Sequence, residues 1–445
     1  MVIPLESSWQ AALPHGGNTA NLGNWWAQFN DPVLSRLLAA AEASSPTLAQ
    51  SAALIEQARA GLVSTSAAAL PSVDGRASMT RSGGNVPAQA AGTVALDAAW
   101  EIDLFGSVRR RTEAATAQLE ASQADWHDAR VSLAAEVASQ YVNLRACEQL
   151  LDAYGASADS LNTTARLTDA LVRGGATAPA DGELTRAASA TGESTRLAQQ
   201  AACDLIVKSL VTLTGVSEPD LRRTLSNGTR AELPVPATVH VSTVPAVWVS
   251  QRPDLRALER SLAAASANIG VAAADRYPRL SIIGSVSALS LRSSGSTIST
   301  QPWSIGPSLS LPLFDAGARA AGERSAQAKY AQALAAYNAG VRQAVEEVER
   351  ALVNLDSATK RDAYAQTAAS GFASVLRSTT SQWRAGAVNA STLELARRDA
   401  INAQIAALTL RRDQVLQWIA LYKAMGGGWT AQAPNSPSTS STTPG

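Results

Sequence analysis

The chain has 445 residues, and its 37 basic residues (Lys and Arg) are balanced by 37 acidic ones (Asp and Glu). This balance gives no sign of a nucleic-acid partner, which a basic surface would attract. The three histidines are scattered without the spacing of metal ligands, the two cysteines form no C-x-x-C pair, and the sequence contains no glycine-rich phosphate loop. We therefore expect neither an enzyme nor a cofactor.

The first predicted elements follow an N-terminal extended segment, residues 1–31. A helical pattern begins at Pro32 and is predicted to run to about Leu70. Pro71 ends it, because proline disfavours the helical conformation of the residue before it.

Alternating apolar and polar residues follow over residues 72–105. Val94 and Trp100 fall on one face, and Asp97 and Glu101 fall on the other. Alternation with a period of two is typical of a β-strand whose faces have different surroundings. A loop rich in glycine and alanine divides the segment, so we predict a strand hairpin.

A very long helix is predicted next, because no proline interrupts residues 107–172. At about 1.5 Å per residue this helix would be roughly 100 Å long, which indicates a coiled coil or a tube. A glycine-rich turn ends it, and a return helix is predicted over residues 180–214. Residues 216–249, rich in proline and threonine, are predicted to form an equatorial connector.

The pattern then recurs at one offset of 211 residues. The repeated motifs are VNL at 142–144 and 353–355, RGG at 173–175 and RAG at 384–386, and LVTLTG at 210–215 and LYKAMG at 421–426. A repeat of this length indicates a duplicated half-domain. The two repeats would span residues 32–215 and 250–428.

The second repeat predicts the same order of elements as the first. After an opening helix we expect a strand hairpin at 279–314, a long helix at 316–383 and a return helix at 391–425. The tail at 429–445 is rich in Ser, Thr and Pro and is predicted to be disordered.

The predicted strands are longer than the usual five or six residues and have one apolar face, as strands between lipid and water do. A half-buried sheet in a soluble α+β domain is the alternative. Four strands per chain cannot close a barrel, and lipid does not tolerate open edges. The predicted fold is therefore mainly α with a membrane β-barrel: a homotrimer forms a 12-stranded barrel on a tube of coiled-coil helices.

Six motifs, in order along the chain, carry a resemblance to a known family. They are WW at 25–26, FNDP at 29–32, WEIDLFG at 100–106, SQRPDL at 250–255, RYPRL at 276–280 and LSLPLFDAG at 309–317. With these motifs the chain resembles the TolC-like outer-membrane efflux factors, in particular the OprM/NodT-type lipoprotein branch.

The resemblance implies a location in the bacterial outer membrane with a periplasmic extension, and a passive exit duct for drugs or other toxic small molecules. The implied partners are a periplasmic adaptor, an inner-membrane RND-type transporter and outer-membrane lipid. A lipid anchor is a further expectation of the branch, although Met1 is not the cysteine that would carry it. A non-transporting coiled-coil scaffold is the alternative, which would explain the long helices but not the amphipathic hairpins.

The resemblance also implies that the turns after the long helices are periplasmic tips, where the duct closes and the adaptor docks. The expected docking residues are Gly174, Gly175 and Gly386. The expected gate residues are Arg173, Asp181, Glu183, Arg384 and Glu394. Asp181 matches the family's aspartate six residues after the tip glycine, whereas the second repeat has Thr392 there. Acidic side chains that merely favour a helix start are the alternative.

The two cysteines lie at equal distances from the first of these turns. Cys147 and Cys203 are each 28 residues from Gly175. In an antiparallel helix hairpin they would be level with each other, and an oxidising periplasm would allow a disulfide. Two buried free thiols are the alternative.

Overall fold

A computed structural model of the chain describes residues 22–84, 88–226, 233–234, 252–293 and 296–427. The predictions for the first 21 residues, for most of the connector at 216–249 and for the tail at 429–445 lie outside the described residues. The chain divides into two compact units. Unit 1 comprises residues 1–49, 127–253 and 341–445, and unit 2 comprises residues 50–126 and 254–340.

The described residues are mainly helical, with one small sheet. The helices are α1 (Pro32–Ser44), α2 (Pro46–Ala67), α3 (Ser107–Arg173), α4 (Pro179–Thr214), α5 (Glu218–Ser226), α6 (Pro253–Ala274), α7 (Ala318–Arg384) and α8 (Ala390–Ala424). The strands are β1 (Ser72–Ser82), β2 (Gln89–Ile102), β3 (Arg279–Ser293), β4 (Ser296–Thr300) and β5 (Trp303–Ser310). Among the described residues, no helix is both long enough and apolar enough to cross a membrane.

Three predicted elements were wrong in detail. The helix predicted from Pro32 to Leu70 is two helices, because Pro46 holds Ser45 in an extended conformation (φ −65°, ψ 118°). The second hairpin, predicted at 279–314, has three strands instead of two: the short strand β4 precedes Pro302, which has no N–H to give to a strand ladder, and β5 follows it and ends at Ser310. The N-terminal segment is not extended over Leu22–Phe29, which form a 3-10 helix.

The sheet is antiparallel and joins the two hairpins through β2 and β3. Its order is β1, β2, β3, with β4 and β5 both paired to the far side of β3. Trp100 lies opposite Ile282, and Val286 lies opposite both Leu96 and Trp303. Because opposite residues share a face, this register brings the apolar positions of all the strands together.

The two faces of the sheet differ sharply in polarity. One carries Val73, Ala77, Met79, Val94, Leu96, Trp100, Ile282, Val286, Trp303 and Ile305. The other carries Asp74, Arg76, Asp97, Glu101, Ser281, Ser285 and Ser304, with Ile283, Leu289, Leu291 and Ile298 as large apolar exceptions. The described residues leave this apolar face largely uncovered, since Trp303 and Ile305 are 75% and 71% exposed.

The duplication is visible in the backbone. Three glycine pairs at the 211-residue offset have matching positive φ values: Gly106 and Gly317 (80° and 86°), Gly175 and Gly386 (71° and 73°), and Gly215 and Gly426 (66° and 83°). They stand at the start of each long helix, at the turn after it and at the end of each return helix. The two repeats therefore have the same backbone conformation at these three positions.

The core of unit 1 is built from the middle of the long helices and the ends of the return helices. Equivalent residues of the two repeats are buried in it: Val137 and Val348, Tyr141 and Leu352, Leu144 and Leu355, and Leu210 and Leu421. The WW motif contributes Trp25, which is fully buried and stacks on Tyr422 with ring centroids 4.5 Å apart.

The FNDP motif ties the start of α1 to α3. The Asp31 carboxylate accepts hydrogen bonds from two backbone N–H groups in the first turn of α1 and from the Tyr141 hydroxyl, 2.6 Å away. The buried Arg145 donates to the Tyr141 oxygen and to the Leu225 carbonyl, both at 3.1 Å, and forms an ion pair with Glu148 at 2.8 Å. This network orders α1 and α5 against α3 in unit 1.

Candidate functional site

The turns after α3 and α7 have the same hydrogen-bonded geometry. After α3, the Gly175 N–H donates to the Val172 carbonyl at 3.0 Å, and the Ala176 N–H donates to the Leu171 carbonyl at 2.8 Å. This is a Schellman motif, which satisfies the last carbonyls of a helix and needs a left-handed residue at its centre. Gly175 fills that position.

The turn after α7 repeats each of these bonds 211 residues later. The Gly386 N–H donates to the Trp383 carbonyl, and the Ala387 N–H donates to the Gln382 carbonyl, both at 2.9 Å. Ala385 stands where the first turn has Gly174. Of the three predicted docking glycines, only Gly175 and Gly386 have the positive φ that favours glycine.

The return helices begin differently in the two repeats. Pro179 opens α4, with Asp181 in the first turn, where a negative charge is favourable. Asn389 caps α8, and its side-chain oxygen accepts a hydrogen bond from the Thr392 N–H at 2.9 Å. Thr392, six residues after Gly386, therefore takes part in the cap through its backbone N–H and through its hydroxyl, which donates to the same Asn389 oxygen at 2.8 Å.

The two predicted gate arginines are the last residues of the long helices. Arg173 and Arg384 are both exposed. Within the described residues, no ion pair joins any two of the five predicted gate residues. Each arginine thus places an exposed positive charge beside its turn.

Of the predicted acidic residues in the first repeat, Asp181 is partly buried and Glu183 is exposed. The Asp181 carboxylate accepts a hydrogen bond from the Thr177 hydroxyl at 2.8 Å. Glu183 pairs with Arg186 one turn along α4, at 3.1 Å. The same Arg186 also forms an ion pair with Asp169 of α3 at 3.2 Å. These ion pairs therefore join α3 and α4, the two helices of the first hairpin.

The equivalent pair of the second repeat is buried. Glu394 pairs with Arg397 on α8, and the arginine side chain is only 7% exposed. Its guanidinium donates to the hydroxyls of Ser160 and Thr164 on α3, at 3.1 and 3.0 Å. Burial raises the pKa of Glu394, although the charge of Arg397 opposes the shift. This cluster joins the two hairpins.

Sequence reasoning missed both arginines. Arg186 and Arg397 lie at the 211-residue offset, and each stands three residues after a predicted glutamate. Side chains three residues apart are neighbours on a helix surface, so the repeat itself held the signal. The repeat and this spacing could not predict which of the two arginines is buried.

The helix seam near the turns is lined by hydroxyls. Thr164, Thr168 and Thr185 are all at most 3% exposed. In the middle of the long helices, by contrast, the buried positions are mostly apolar. Thr168 is the exception among them: its hydroxyl has no hydrogen-bond partner among the described residues.

The cysteines meet in the first hairpin. Cys147 of α3 and Cys203 of α4 are joined by a disulfide, with Cα atoms 5.6 Å apart. The equivalent positions in the second repeat are Ala358 and Gln414. The two hairpins thus differ in covalent constraint as well as in charge.

This fold and these duplicated helix hairpins define an outer-membrane efflux channel. The chain belongs to the family described as outer membrane efflux protein, which it matches over residues 37–216 and 247–427. The resemblance found in the six motifs is confirmed. The protein is the outer-membrane component of an efflux pump, and its role is transport rather than catalysis.

Individual relatives support the family over nearly the whole chain. Nodulation protein T of Rhizobium leguminosarum bv. trifolii is 30% identical, over 97% of this chain and 94% of that protein. The pyoverdine export outer membrane protein OpmQ of Pseudomonas putida is 28% identical, over 98% of this chain and 94% of that protein. The outer-membrane channel OprN has a similar structure, with a TM-score of 0.86 and 28% identity, over 96% of this chain and 98% of that one.

Proposed function

We propose that three copies of the chain form the exit duct of a tripartite pump, which conducts drugs or other toxic small molecules passively out of the periplasm. A periplasmic adaptor and an RND-type inner-membrane transporter complete the pump. The lipid anchor stays a prediction of the family branch.

The observation that carries the trimer is the sheet with two unlike faces and two open edges. Within the described residues, β1 pairs only with β2, and β4 and β5 pair only with β3. Open edges with unpaired N–H and C=O groups are not tolerated in lipid. Because β4 and β5 share one place beside β3, each chain supplies the equivalent of four strands. Three copies would therefore close a barrel of twelve strands, with the apolar face towards lipid.

The assembly is tested by mass measurement of the purified protein in detergent. A trimer is expected, and a stable monomer or dimer would contradict the proposal. Two neighbouring positions of β1 provide a matched pair of variants. Ala77→Arg places a charge on the apolar face, at a cost of about 2–4 kcal/mol in mid-membrane, and should abolish membrane insertion. Ser78→Arg, on the opposite face, should insert normally.

The gate is proposed to lie at the turns after α3 and α7. Three copies would bring the exposed Arg173 and Arg384 near Asp181 and Glu183 of neighbouring hairpins. An exposed ion pair is worth only about 0–1 kcal/mol, so several around the ring would have to act together. Gly175 and Gly386 would present the turns to the adaptor.

Single-channel recording in planar bilayers tests the gate. The double variant Asp181→Asn with Glu183→Gln should raise the conductance, because it removes the charges that are proposed to hold neighbouring turns together. Glu193→Gln is the control, since Glu193 pairs with Arg196 along α4 and lies farther from the turn. Unchanged conductance in the double variant would refute the assignment.

A further inference from the structure

The apolar face of the sheet carries two arginines at the end of the strands away from the start of α3. Arg81 of β1 and Arg292 of β3 both lie opposite Ala90 of β2, one on each side of it. Residues that lie opposite one another share a face, and Ala90 is on the same face as Val94, four residues along β2. The two arginines therefore interrupt the apolar face and do not belong to the polar one.

The surroundings of these two arginines offer no acidic partner. Both residues are exposed, and within the parts of the chain that the structure describes neither side chain forms an ion pair or a hydrogen bond. The sequence explains this, because it contains no acidic residue between Asp74 and Asp97 in the first hairpin or between Asp275 and Asp315 in the second. Any anion that neutralises the pair must come from outside the two hairpins.

The arginines on the polar face of the same two strands are paired. Arg76 of β1 lies 3.3 Å from Asp97, and Arg279 of β3 lies 2.6 Å from Asp275. An arginine on a lipid-facing wall is unfavourable in mid-membrane and tolerated near the interface with water. Unpaired arginines on the apolar face are therefore expected only at the edge of the membrane.

The length of β2 places the arginine pair at that edge. Ala90 and Trp100 are ten residues apart on β2 and share the apolar face. At about 3.3 Å per residue this is about 33 Å along the strand, or about 25 Å across the membrane for a strand tilted by about 40°. The apolar band of a membrane barrel is about 25 Å tall and is bordered by aromatic residues. With Trp100 at the boundary beside α3, the arginines lie at the opposite boundary, level with the lipid head groups.

We propose that Arg81 and Arg292 together bind the phosphate of a phosphorylated glycolipid of the outer leaflet, the chemistry of lipopolysaccharide. The inference rests on the proposed function, because the barrel places this end of the strands at the outside of the cell. The two Cα positions are separated by two strand spacings, about 10 Å, so both guanidiniums can reach one phosphate between them. The planar fork of arginine binds phosphate through two parallel hydrogen bonds.

The residues around the pair leave room for such a lipid. Ala90 lies between the arginines, and Gly92 and Ser290 form the next row on the same face. A Cβ added to Gly92 would meet no atom within 4 Å. The acyl chains would continue along the face over Met79 and Val94. Head group and chains thus meet a charged and then an apolar surface, in the order in which the lipid carries them.

Binding of a fluorescent lipopolysaccharide to the purified full chain in detergent tests the site. The double variant Arg81→Gln with Arg292→Gln should weaken binding roughly tenfold or more, because charge-assisted contacts to the phosphate are lost. Arg76→Gln with Arg279→Gln is the matched control: it removes the same charge from the same two strands on the opposite face, and it should bind as the wild type does. Equal binding by the wild type and the first double variant would overturn the proposal.

Changing the lipid tests the same contact without changing the protein. The same glycolipid without its phosphates should bind the wild type about as weakly as the phosphorylated form binds the double variant. Phosphatidylglycerol, whose phosphate is a diester with fewer free oxygens, should also bind more weakly than lipopolysaccharide. The proposal fails if removal of the phosphates has no effect, or if phosphatidylglycerol binds as tightly as lipopolysaccharide.

The results also separate the lipid site from the duct. If binding depends on the two arginines and on the phosphate while the wild type forms no channel in planar bilayers, the lipid site stands and the duct function fails. If the wild type and both double variants form channels of equal conductance while binding does not depend on the arginines, the duct stands and the lipid site fails.

Discussion

Arg186 and Arg397 occupy equivalent positions of the two repeats, but Arg186 lies at the surface and Arg397 is buried against α3. Both pair with a glutamate three residues earlier. Arg186 then binds Asp169 inside its own hairpin, whereas Arg397 binds Ser160 of the other hairpin. The duplicated Glu–Arg pair therefore has two structural roles: in the first repeat it joins the helices of one hairpin, and in the second it joins the two hairpins.

The disulfide between Cys147 and Cys203 is expected to form in the mature protein. Thiol labelling of denatured, unreduced protein should find no reactive thiol, and reduced protein, as the control, should show two per chain. Replacing both cysteines by serine should lower the free energy of unfolding by about 4 kcal/mol, the chain-entropy value for a loop of this size. Two reactive thiols in the unreduced sample would rule the bond out.

Tyr141→Phe should destabilise unit 1. The variant removes the hydroxyl that donates to Asp31 and accepts from Arg145, and leaves the buried Arg145 with one partner fewer. The expected loss is about 1–3 kcal/mol, measured as a lower midpoint of thermal unfolding in detergent. Tyr364→Phe is the matched control, because Tyr364 is 80% exposed. Equal midpoints for the two variants would show that the network contributes nothing.

The two adjacent glycines of the first turn should respond differently to alanine. Gly175→Ala puts a side chain on a left-handed residue and should cost about 1–2 kcal/mol. Gly174→Ala should be almost neutral, since the second turn already has Ala385 at that position. Hydrogen exchange of the Ala176 amide, which closes the turn, is the measurement. Faster exchange in Gly174→Ala than in Gly175→Ala would contradict the expected order.

Glu394 should make stability depend on pH. Burial raises its pKa above the ordinary value of 4.5, so the folded state binds this proton more tightly than the unfolded state. Its contribution is therefore fully present below pH 4.5 and is lost as the pH rises through the raised pKa. The wild type should gain stability relative to Glu394→Gln as the pH falls from 7 towards 4.5.

Thermal unfolding of both proteins across this pH range measures the effect. Glu183→Gln is the control, because the Glu183 side chain is 71% exposed. If the difference in stability between the wild type and Glu394→Gln is the same at every pH, burial does not raise the pKa of the Glu394 carboxyl.

The sequence by itself determined the long helices, the hairpins and the repeat. The helix predicted at 107–172 is Ser107–Arg173, because local propensity and the absence of proline act within a few residues. The turn glycines were equally readable, since a positive φ is a local requirement. The helix break at Pro46 rests on a local rule too and was overlooked.

Only the tertiary structure decided which side chains meet across the helices. Arg186 and Arg397 have the same local sequence signal, yet one is exposed and the other is buried. The face that a helix turns towards its neighbour depends on its phase, which drifts by about 20° per heptad and accumulates over a helix of this length. For the same reason, counting residues from Gly175 made Cys147 and Cys203 level, but only the packing of α3 and α4 brought their Cα atoms within 5.6 Å.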